Sequence, residues 1–317
     1  MRYRPLGDSG LLVSVVGLGC NNVGRRLDLE GTRAVVYAAL DAGVTLLDTA
    51  DSYGGAGESE SLLGEVLVGR QDEVVLATKF GHERSDMGYG PAAGAKGGRS
   101  YIRRAVHASL RRLRTDYIDL YQLHTPDPVT PIEETLDALD ALVRDGTVRY
   151  VGHSNFAPWQ ISEAALLARL RGTTAFVSAQ NEWSLLDRGV EAEVVPVARR
   201  YGLGVLPYFP LANGLLTGKV RRGRDLPRGS RIATRPDLVT EERLDRIEAL
   251  AAWADEHGRS LLEVAIAGLA AQPGCASVIA GATSAEQVKT NAAAADWTPT
   301  TDELAQIDAI VPPPTAR

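Results

Sequence analysis

The sequence predicts an α/β protein of the (β/α)8 TIM-barrel class. Short apolar runs alternate with longer helical patterns along the chain, and this alternation is typical of a parallel sheet. Eight strand–helix units can be counted from Val15 onward within the 317 residues, which suits a closed barrel. No predicted strand is followed by Gly-x-Gly-x-x-Gly, which weakens the alternative of an open, doubly wound sheet.

The first predicted element is an N-terminal hairpin. Residues 3–6 and 11–15 flank the turn signal Gly-Asp-Ser-Gly, and we expect the hairpin to close the floor of the barrel. The barrel strands then follow as short apolar runs. They are predicted at residues 15–18, 45–48, 73–78, 117–123, 148–152, 175–179, 203–206 and 277–280.

Helical patterns separate these strands. They are predicted at residues 32–42, 59–68, 99–114, 132–143, 158–168, 190–200, 240–257, 261–271, 284–295 and 301–310. Gly43 ends the first helix, and Pro131 is well placed for the first turn of the fourth. Only the seventh strand lacks a helix directly after it, so the segments at 80–100 and 208–240 are predicted to be long βα loops over the C-terminal face. We expect residues 1–317 to form a single domain.

Composition limits the possible functions. The net charge of −6 argues against a general nucleic-acid binder, whose affinity would rest on neutralising phosphates. No apolar run approaches the roughly 20 residues of a membrane span. Cys20 and Cys275 are the only cysteines, so we expect no disulfide framework and a cytoplasmic location. The apolar run at 11–20 faintly resembles a lipoprotein signal, but it is short, and Asp8 and Gly10 interrupt its approach.

Polar side chains stand at the ends of the predicted strands, where a barrel of this class carries its functional groups. The second strand is followed by Asp48 and Tyr53, the third by Thr78 and Lys79, and the fourth by His124. The fifth strand is followed by His153, Ser154 and Asn155, and the sixth by Gln180, Asn181 and Trp183. The seventh strand is followed by Tyr208, and the eighth by Gly281, Thr283 and Ser284. Because these strand ends open into one mouth, we expect the groups to lie close together.

Four of these residues form a coherent chemical set. A free tyrosine has a pKa of about 10, too high for easy proton donation at neutral pH. A lysine ammonium close to Tyr53 would lower that pKa, and Asp48 would pair with Lys79 and fix its position. His124 would orient a substrate carbonyl. Together with Tyr53 it would provide two donors for an oxygen that gains negative charge.

At these residues the chain resembles the aldo-keto reductase family. The matching motifs are GLG at 17–19, LDTADSYGG at 47–55, ATKFG at 77–81, DYIDLYQLH at 116–124, GHSNF at 152–156, QNEWSLLDR at 180–188, LANGLLTGK at 211–219 and GATSAEQVKTN at 281–291. They span nearly the whole chain in family order, and the family fold is the barrel predicted above. The resemblance implies NAD(P)H-dependent reduction of an aldehyde or ketone without a metal. The implied catalytic tetrad is Asp48, Tyr53, Lys79 and His124.

The resemblance also implies a cofactor site along the mouth of the barrel. Ser154, Asn155 and Gln180 would hold the nicotinamide carboxamide, and Tyr208 would stack on the nicotinamide ring. The residues that would line the pyrophosphate are Leu211, Asn213 and Gly214. Thr283, Gln287 and Asn291 would reach the adenosine end. Gly281, which begins the motif at 281–291, is a further residue of the cofactor site.

A basic segment at 219–231 bears on the choice of cofactor. Lys219 and Arg231 fall where NADP(H)-using relatives in the family place phosphate contacts, and an ammonium plus a guanidinium suits a 2′-phosphate. We therefore predict NADPH in preference to NADH. The plainer interpretation of the other basic residues here is a solvated, mobile loop.

Several positions depart from the family pattern. The stretch Cys20-Asn21-Asn22 stands where Thr-Met or Thr-Trp is frequent, which puts a more polar wall near the nicotinamide. Asn21 and Trp183 are the candidate substrate contacts, although simple packing explains Trp183 equally well. Thr290 stands where the family often has a glutamate facing the adenine amine. His153 replaces a common valine or isoleucine, while His82 and His107 are expected on the surface.

Two other functions remain open at this point. A cofactor-binding redox-sensing or regulatory subunit on the same fold would keep the tetrad but release NADP+ slowly. A barrel hydrolase or lyase with Asp48 as base would need no nicotinamide, but the sequence has no His-x-His pair for zinc. The expected partner is a small-molecule aldehyde or ketone rather than nucleic acid or membrane, and the oligomeric state stays open.

Overall fold

Eight parallel strands close into a barrel, and a separate antiparallel hairpin precedes them. The structure is a computed structural model that describes residues 1–314, so the last three residues of the predicted domain lie outside the described part. The hairpin strands are β1 (Tyr3–Pro5) and β2 (Leu12–Ser14). The barrel strands are β3 (Val16–Gly19), β4 (Leu46–Asp48), β5 (Val75–Phe80), β6 (Ile118–Leu123), β7 (Val148–Ser154), β8 (Ser178–Glu182), β9 (Gly204–Tyr208) and β10 (Val278–Gly281). Strand β10 pairs with both β3 and β9, which completes the barrel and confirms the predicted fold class.

The described residues form ten α-helices. They are α1 (Leu29–Asp41), α2 (Glu58–Val66), α3 (Arg99–Leu113), α4 (Ile132–Arg144), α5 (Pro158–Arg171), α6 (Val194–Arg200), α7 (Glu241–Glu256), α8 (Leu261–Ala270), α9 (Ala285–Ala293) and α10 (Thr301–Ile310). Helix α8 packs against β10 and α9 in the wall of the barrel, whereas α7 and α10 pack on each other outside it. None of the helices within residues 1–314 combines the length and the apolar composition needed to cross a membrane.

Helices α7 and α10 add a second apolar cluster outside the barrel. Trp253 of α7, Trp297 before α10 and Ile307 within α10 are all buried there, together with Leu216 from the loop after β9. This arrangement explains why the seventh strand lacks a helix directly after it. The chain first passes over the mouth of the barrel, then forms α7, and only then returns to the wall as α8.

The N-terminal hairpin closes the floor of the barrel. Leu6 and Val13 are fully buried in one cluster with inward-facing strand residues such as Leu46. Gly7 permits this close approach because it has a φ of +60°, and a Cβ at this position would lie 2.2 Å from the carbonyl oxygen of Gly202. The barrel is therefore open only at the C-terminal ends of its strands.

Alternation along the strands places a polar layer directly above this apolar floor. Leu46, Ala77 and Leu120 belong to the floor cluster. Because side chains two residues apart on a strand point the same way, the next residues also face the barrel axis. These residues are Asp48, Lys79 and Gln122, and all three are buried. The sequence thus forms a buried set of polar groups where the strands end.

Candidate active site

Lys79 lies in the centre of the polar layer and is completely buried. Its ammonium donates to Asp48 Oδ2 at 2.6 Å, to the carbonyl oxygen of Thr49 at 2.9 Å and to Tyr53 Oη at 3.4 Å. Burial lowers the pKa of Lys79, but Asp48 and Tyr53 raise that pKa by more, so it lies above its ordinary value. Lys79 is therefore a fixed positive charge in contact with the phenol.

Two amide side chains hold Asp48 in place. Gln180 Nε2 donates to Asp48 Oδ1 at 2.9 Å, and Gln122 Nε2 lies 3.4 Å from the same oxygen. A buried carboxylate persists only where opposite charge and hydrogen bonds compensate for its lost hydration, and Asp48 has both. Gln122 was not predicted, although its place two residues before His124 puts it on the inward face of β6.

His124 stands beside Tyr53 at the mouth of the barrel, with the ring centroids 5.8 Å apart and the rings nearly perpendicular. Burial lowers the pKa of His124 well below its usual value, and the charge of Lys79 adds to this effect, so the ring is neutral. Its Nδ1 is buried without a partner among residues 1–314. We assign the ring proton to Nε2, because a protonated Nδ1 would be a buried, unpaired donor. Nε2–H is then free to donate beside the phenol.

The pKa of Tyr53 corrects the expectation drawn from the sequence. Burial raises the pKa of the phenol above its ordinary value, and the opposing effect of Lys79 offsets this rise only in part. The lysine acts in the predicted direction, but desolvation of the phenolate outweighs it. Tyr53 is consequently protonated throughout the neutral range, with the ammonium of Lys79 in contact with its oxygen.

A second polar network begins at the end of β7 and contacts the first. Asn155 has a φ of +62°, a left-handed conformation that asparagine tolerates better than most residues. Its amide donates to the carbonyl of His124 and to Ser154 Oγ, both at 3.0 Å. Its side-chain carbonyl accepts from the Tyr208 hydroxyl at 2.8 Å, and Ser154 donates to the backbone carbonyl of Gln180 at 2.8 Å. The ring of Tyr208 is thereby fixed relative to the catalytic candidates.

Both networks open into one cleft of about 1380 Å³. With two exceptions, every residue predicted for the tetrad, the cofactor or the substrate lines this cleft. One exception is Lys79, which lies just beneath the cleft behind Asp48 and Tyr53. The other is Trp183. The residues that line the cleft come from the ends of all eight barrel strands and from the loop after β9.

The chemistry of the cleft fits a nicotinamide dinucleotide. One end presents the ring of Tyr208 and the side-chain oxygen of Gln180, which accepts no hydrogen bond from residues 1–314. The cleft is also lined by three cations, Lys219, Arg228 and Arg231. An amide-binding group and a flat ring suit a carboxamide-bearing aromatic ring, and the cations suit phosphates.

The basic segment at 219–231, here called the strap, crosses over the cleft. Arg231 of the strap donates to Asn21 Oδ1 at 3.2 Å. In the second contact, Arg26 donates to the carbonyl oxygen of Gly229 in the strap. The strap is therefore tied at two points to the loop that follows β3, and it was predicted only as a mobile loop with a phosphate clamp.

Trp183 does not reach the cleft. Its side chain is 1% exposed, and its indole N–H donates to Glu191 Oε1 at 2.8 Å. Because residues alternate along β8, Gln180 and Glu182 face the cleft, whereas Trp183 points into the surrounding core. We therefore withdraw Trp183 as a substrate contact and retain Asn21, which lines the cleft.

His82 lines the cleft although it was expected on the surface. Its ring centroid lies 4.6 Å from that of His124, with the planes at 79°. A signal was available in the sequence, because His82 follows β5 by only two residues and so belongs to the strand ends. His107 is exposed on α3, as predicted.

His153 and Cys20 serve as packing residues. His153 is buried and stacks on Phe156 with ring centroids 4.3 Å apart, and neither ring nitrogen has a partner among residues 1–314. Burial lowers the pKa of His153 to about 3, so the ring stays neutral. Burial also raises the pKa of the Cys20 thiol, which excludes a reactive thiolate. Within the described residues, no group of three or more His, Cys, Asp or Glu side chains could hold a metal ion.

Comparison with known proteins identifies relatives over almost the full chain. The model of the Aldo/keto reductase family matches residues 15–312. The uncharacterized oxidoreductase YrpG of Bacillus subtilis (strain 168) is 38% identical over 321 residues, which cover 99% of this chain and 97% of that protein. A probable voltage-gated potassium channel subunit beta of Oryza sativa subsp. japonica is 35% identical, over 98% and 97% of the two chains. The L-glyceraldehyde 3-phosphate reductase of Escherichia coli (strain K12) is 34% identical, over 97% and 92%.

These matches agree with the barrel and with the cleft at its C-terminal face. The family match begins at the residue before the first barrel strand and ends just after the last helix, so it includes every strand end described above. The chain belongs to the aldo/keto reductase family and is an NAD(P)H-dependent oxidoreductase.

Proposed function

We propose that the protein is an NADPH-dependent reductase that converts an aldehyde or ketone into an alcohol. The observation that carries this proposal is the buried contact of Lys79 with both Asp48 and Tyr53 beside a neutral His124. This arrangement stabilises a phenolate and polarises a carbonyl. It disfavours the hydrolase or lyase alternative, because the carboxylate of Asp48 is already engaged by an ammonium and two amides.

Tyr53 acts as the proton donor in this proposal. Its hydroxyl and the Nε2–H of His124 bind the substrate oxygen together. When bound, NADPH supplies the hydride to the carbonyl carbon. As negative charge develops on the oxygen, the oxygen takes the proton of Tyr53, and Lys79 stabilises the phenolate that remains. Asp48 keeps the ammonium in position.

The cofactor would lie along the cleft. Ser154, Asn155 and Gln180 would hold the carboxamide, and Tyr208 would support the ring. The pyrophosphate would pass Leu211, Asn213 and Gly214. The adenosine end would reach Gly281, Thr283, Gln287 and Asn291. Lys219 and Arg231 would contact the 2′-phosphate, which is the basis for preferring NADPH to NADH.

An equilibrium titration with NADPH and, in parallel, NADH tests the cofactor assignment. The quenching of tryptophan fluorescence reports binding, and we expect the dissociation constant for NADPH to be at least tenfold lower than that for NADH. Lys219→Met should weaken NADPH binding and leave NADH binding nearly unchanged. Equal affinities would refute the phosphate clamp but keep the reductase, and binding of neither cofactor would refute the reductase.

Replacement of the proposed donor tests the chemistry. We expect Tyr53→Phe to lower kcat for aldehyde reduction by about 10²–10⁴-fold while NADPH still binds. Tyr37→Phe on α1, remote from the cleft, is the matched control and should keep wild-type kcat. Turnover of Tyr53→Phe at the wild-type rate would contradict the assigned role.

A second candidate function is a cofactor-binding redox-sensing or regulatory subunit. Two observations favour it: the strap is tied across the cleft by Arg26 and Arg231, and relatives from rice and Arabidopsis thaliana are named as probable potassium channel beta subunits. A sensor would bind NADPH tightly and release NADP+ very slowly. Stopped-flow release of NADP+ that is much slower than any carbonyl turnover would favour this second function over the first.

The substrate and the location of the protein follow from the same reasoning. We propose a small-molecule aldehyde or ketone as the substrate, because Tyr53 and His124 lie side by side in the wall of the cleft. We also propose a cytoplasmic location, because both cysteines are free, buried thiols.

A further inference from the structure

Three rings stand in a row at the mouth of the barrel. Tyr53 meets His124 edge to face at 5.8 Å, and His124 meets His82 edge to face at 4.6 Å. The first two rings carry the donors proposed for the carbonyl oxygen. His82 is therefore the ring next to His124 in the wall of the cleft.

His82 is held firmly by its own loop. The ammonium of Lys96 donates to three carbonyl oxygens of this loop, those of His82, Glu83 and Ser85. The ring is fixed as well, because the backbone N–H of Arg84 donates to His82 Nδ1 at 3.2 Å. The loop therefore presents His82 in one orientation, which a solvated surface histidine would not have.

This hydrogen bond also decides the tautomer. Since Nδ1 of His82 accepts from a backbone N–H, the proton of the neutral ring lies on Nε2. Burial lowers the pKa of His82, so the neutral form prevails at physiological pH. Nε2 has no partner among residues 1–314, and His82 lines the cleft. A preoriented and unused N–H donor therefore stands beside the catalytic candidates.

We propose that His82 is a specificity-determining residue that binds an oxygen substituent on the carbon next to the substrate carbonyl. The substrate class is then α-oxygenated carbonyl compounds, such as 2-hydroxyaldehydes, hydroxyketones and sugars. This inference rests on the proposed function, because it takes the carbonyl oxygen to lie between Tyr53 and His124. The two oxygens of an α-hydroxycarbonyl lie about one hydrogen-bond length apart, so two rings in contact, such as those of His124 and His82, can bind one oxygen each.

A site with an unused donor discriminates against analogues that cover this donor but lack the matching group. An apolar substituent in that place would leave the N–H of His82 without an acceptor and without water. The hydroxyl of Tyr53 and the N–H of His124 are already used by the carbonyl oxygen, so an α-oxygen needs a further donor, which His82 can supply. The preference for α-oxygen should therefore depend on His82.

The test compares two aldehydes of the same shape in the full-length protein with NADPH. Lactaldehyde carries an α-hydroxyl where isobutyraldehyde carries a methyl group. We expect the wild type to favour lactaldehyde in kcat/KM, and we expect His82→Leu to reduce that preference about tenfold, mainly through a higher KM for lactaldehyde. His82→Gln, which can place an amide N–H near the position of Nε2, should restore much of the preference.

Controls separate this role from a general effect on the site. His107→Leu removes an exposed histidine on α3 and should keep the wild-type preference. An unchanged preference in His82→Leu, or an equal loss with both aldehydes, would overturn the inference while leaving the reductase in place. A wild type that reduces neither aldehyde with NADPH would overturn the proposed function and this inference with it.

Discussion

Lys79 Nζ lies 2.6 Å from Asp48 Oδ2, and neither side chain is more than 3% exposed. Removal of the lysine would leave a buried carboxylate without its counter-charge. We predict that Lys79→Met lowers the free energy of unfolding by about 3–5 kcal/mol in urea at neutral pH. Lys289→Met, at an exposed position on α9, is the control and should change it by less than about 0.5 kcal/mol. Similar losses in both variants would contradict this view of the pair.

The raised pKa of Tyr53 predicts the pH profile of reduction. The donor must carry its proton, and a pKa above the ordinary value keeps it protonated as the pH rises. We expect kcat for reduction to stay constant through the neutral range and to fall only above about pH 10. The measurement is kcat against pH with saturating aldehyde and NADPH. A midpoint near neutrality would show that Lys79 outweighs burial, contrary to the structure.

His153 predicts a loss of stability in acid. Its pKa is about 3 in the folded protein and about 6.5 in the unfolded chain, so the unfolded chain binds the extra proton between these values. This residue should therefore lower the free energy of unfolding by up to about 1.4 kcal/mol per pH unit as the pH falls below about 6.5. We expect His153→Leu to remove this slope, measured as the difference in urea unfolding from wild type. A difference that does not vary with pH would refute the prediction.

Asp51 has the opposite effect on stability. It is fully buried, and neither of its carboxyl oxygens has a partner among residues 1–314. Burial, and then the charge of Glu60, raise its pKa to about 7 in spite of Arg112. Because this value lies above the unfolded one, Asp51 stabilises the fold in its protonated form, and the contribution is lost as the pH rises through about 7.

We therefore predict that Asp51→Asn gains stability relative to wild type as the pH rises. The advantage should grow by up to about 1.4 kcal/mol per pH unit between about pH 4 and pH 7. Urea unfolding of both proteins at several pH values measures it. Asp86→Asn, on an exposed loop, supplies the control, and an advantage that shrinks with rising pH would reverse the assignment.

The ties of the strap predict the rate of cofactor release. Arg26 donates to Gly229, and this contact must break before a dinucleotide can leave beneath the strap. We expect Arg26→Ala to raise the NADPH dissociation rate several-fold with little effect on kcat, since dissociation rates respond most to lost contacts of this kind. Arg25→Ala, at an exposed neighbouring position that does not line the cleft, is the control. Equal rates for Arg26→Ala and wild type would show that the strap does not limit release.

Periodicity in the sequence was sufficient for the barrel. The βα alternation gave the strand count, and the strand-end rule placed Asp48, Lys79 and His124 at one mouth, because parallel strands must all end on the same side. The alternation of side chains along β6 also shows that Gln122 points inward, although Gln122 was not among the predicted site residues. The helix after the long loop that follows β9 was predicted from the sequence, but its position was not. Nothing in the local sequence shows that α7 lies outside the barrel wall.

Other features of the site depend on neighbours that are distant in sequence. The net pKa of Tyr53 required the balance of burial against the charge of Lys79, and no local pattern contains that balance. Trp183 was misplaced because a one-residue difference on a strand decides which way a side chain points. His82 was missed although it closely follows β5, because Lys96, fourteen residues later, holds its loop over the cleft.

The hairpin that closes the barrel floor has a consequence for kinetic order. With Leu6 and Val13 filling one end, the cofactor and the carbonyl compound must share a single entrance. The buried residue Ser154 lies deep in that entrance, and the exposed Arg84 lies at its rim. We therefore expect compulsory-order kinetics in which the dinucleotide binds first and leaves last, so that the oxidised cofactor competes with the reduced one and the alcohol product does not. Wherever the concentration of the reduced cofactor exceeds its dissociation constant, we expect most of the protein to be the binary complex, which can bind a carbonyl compound directly.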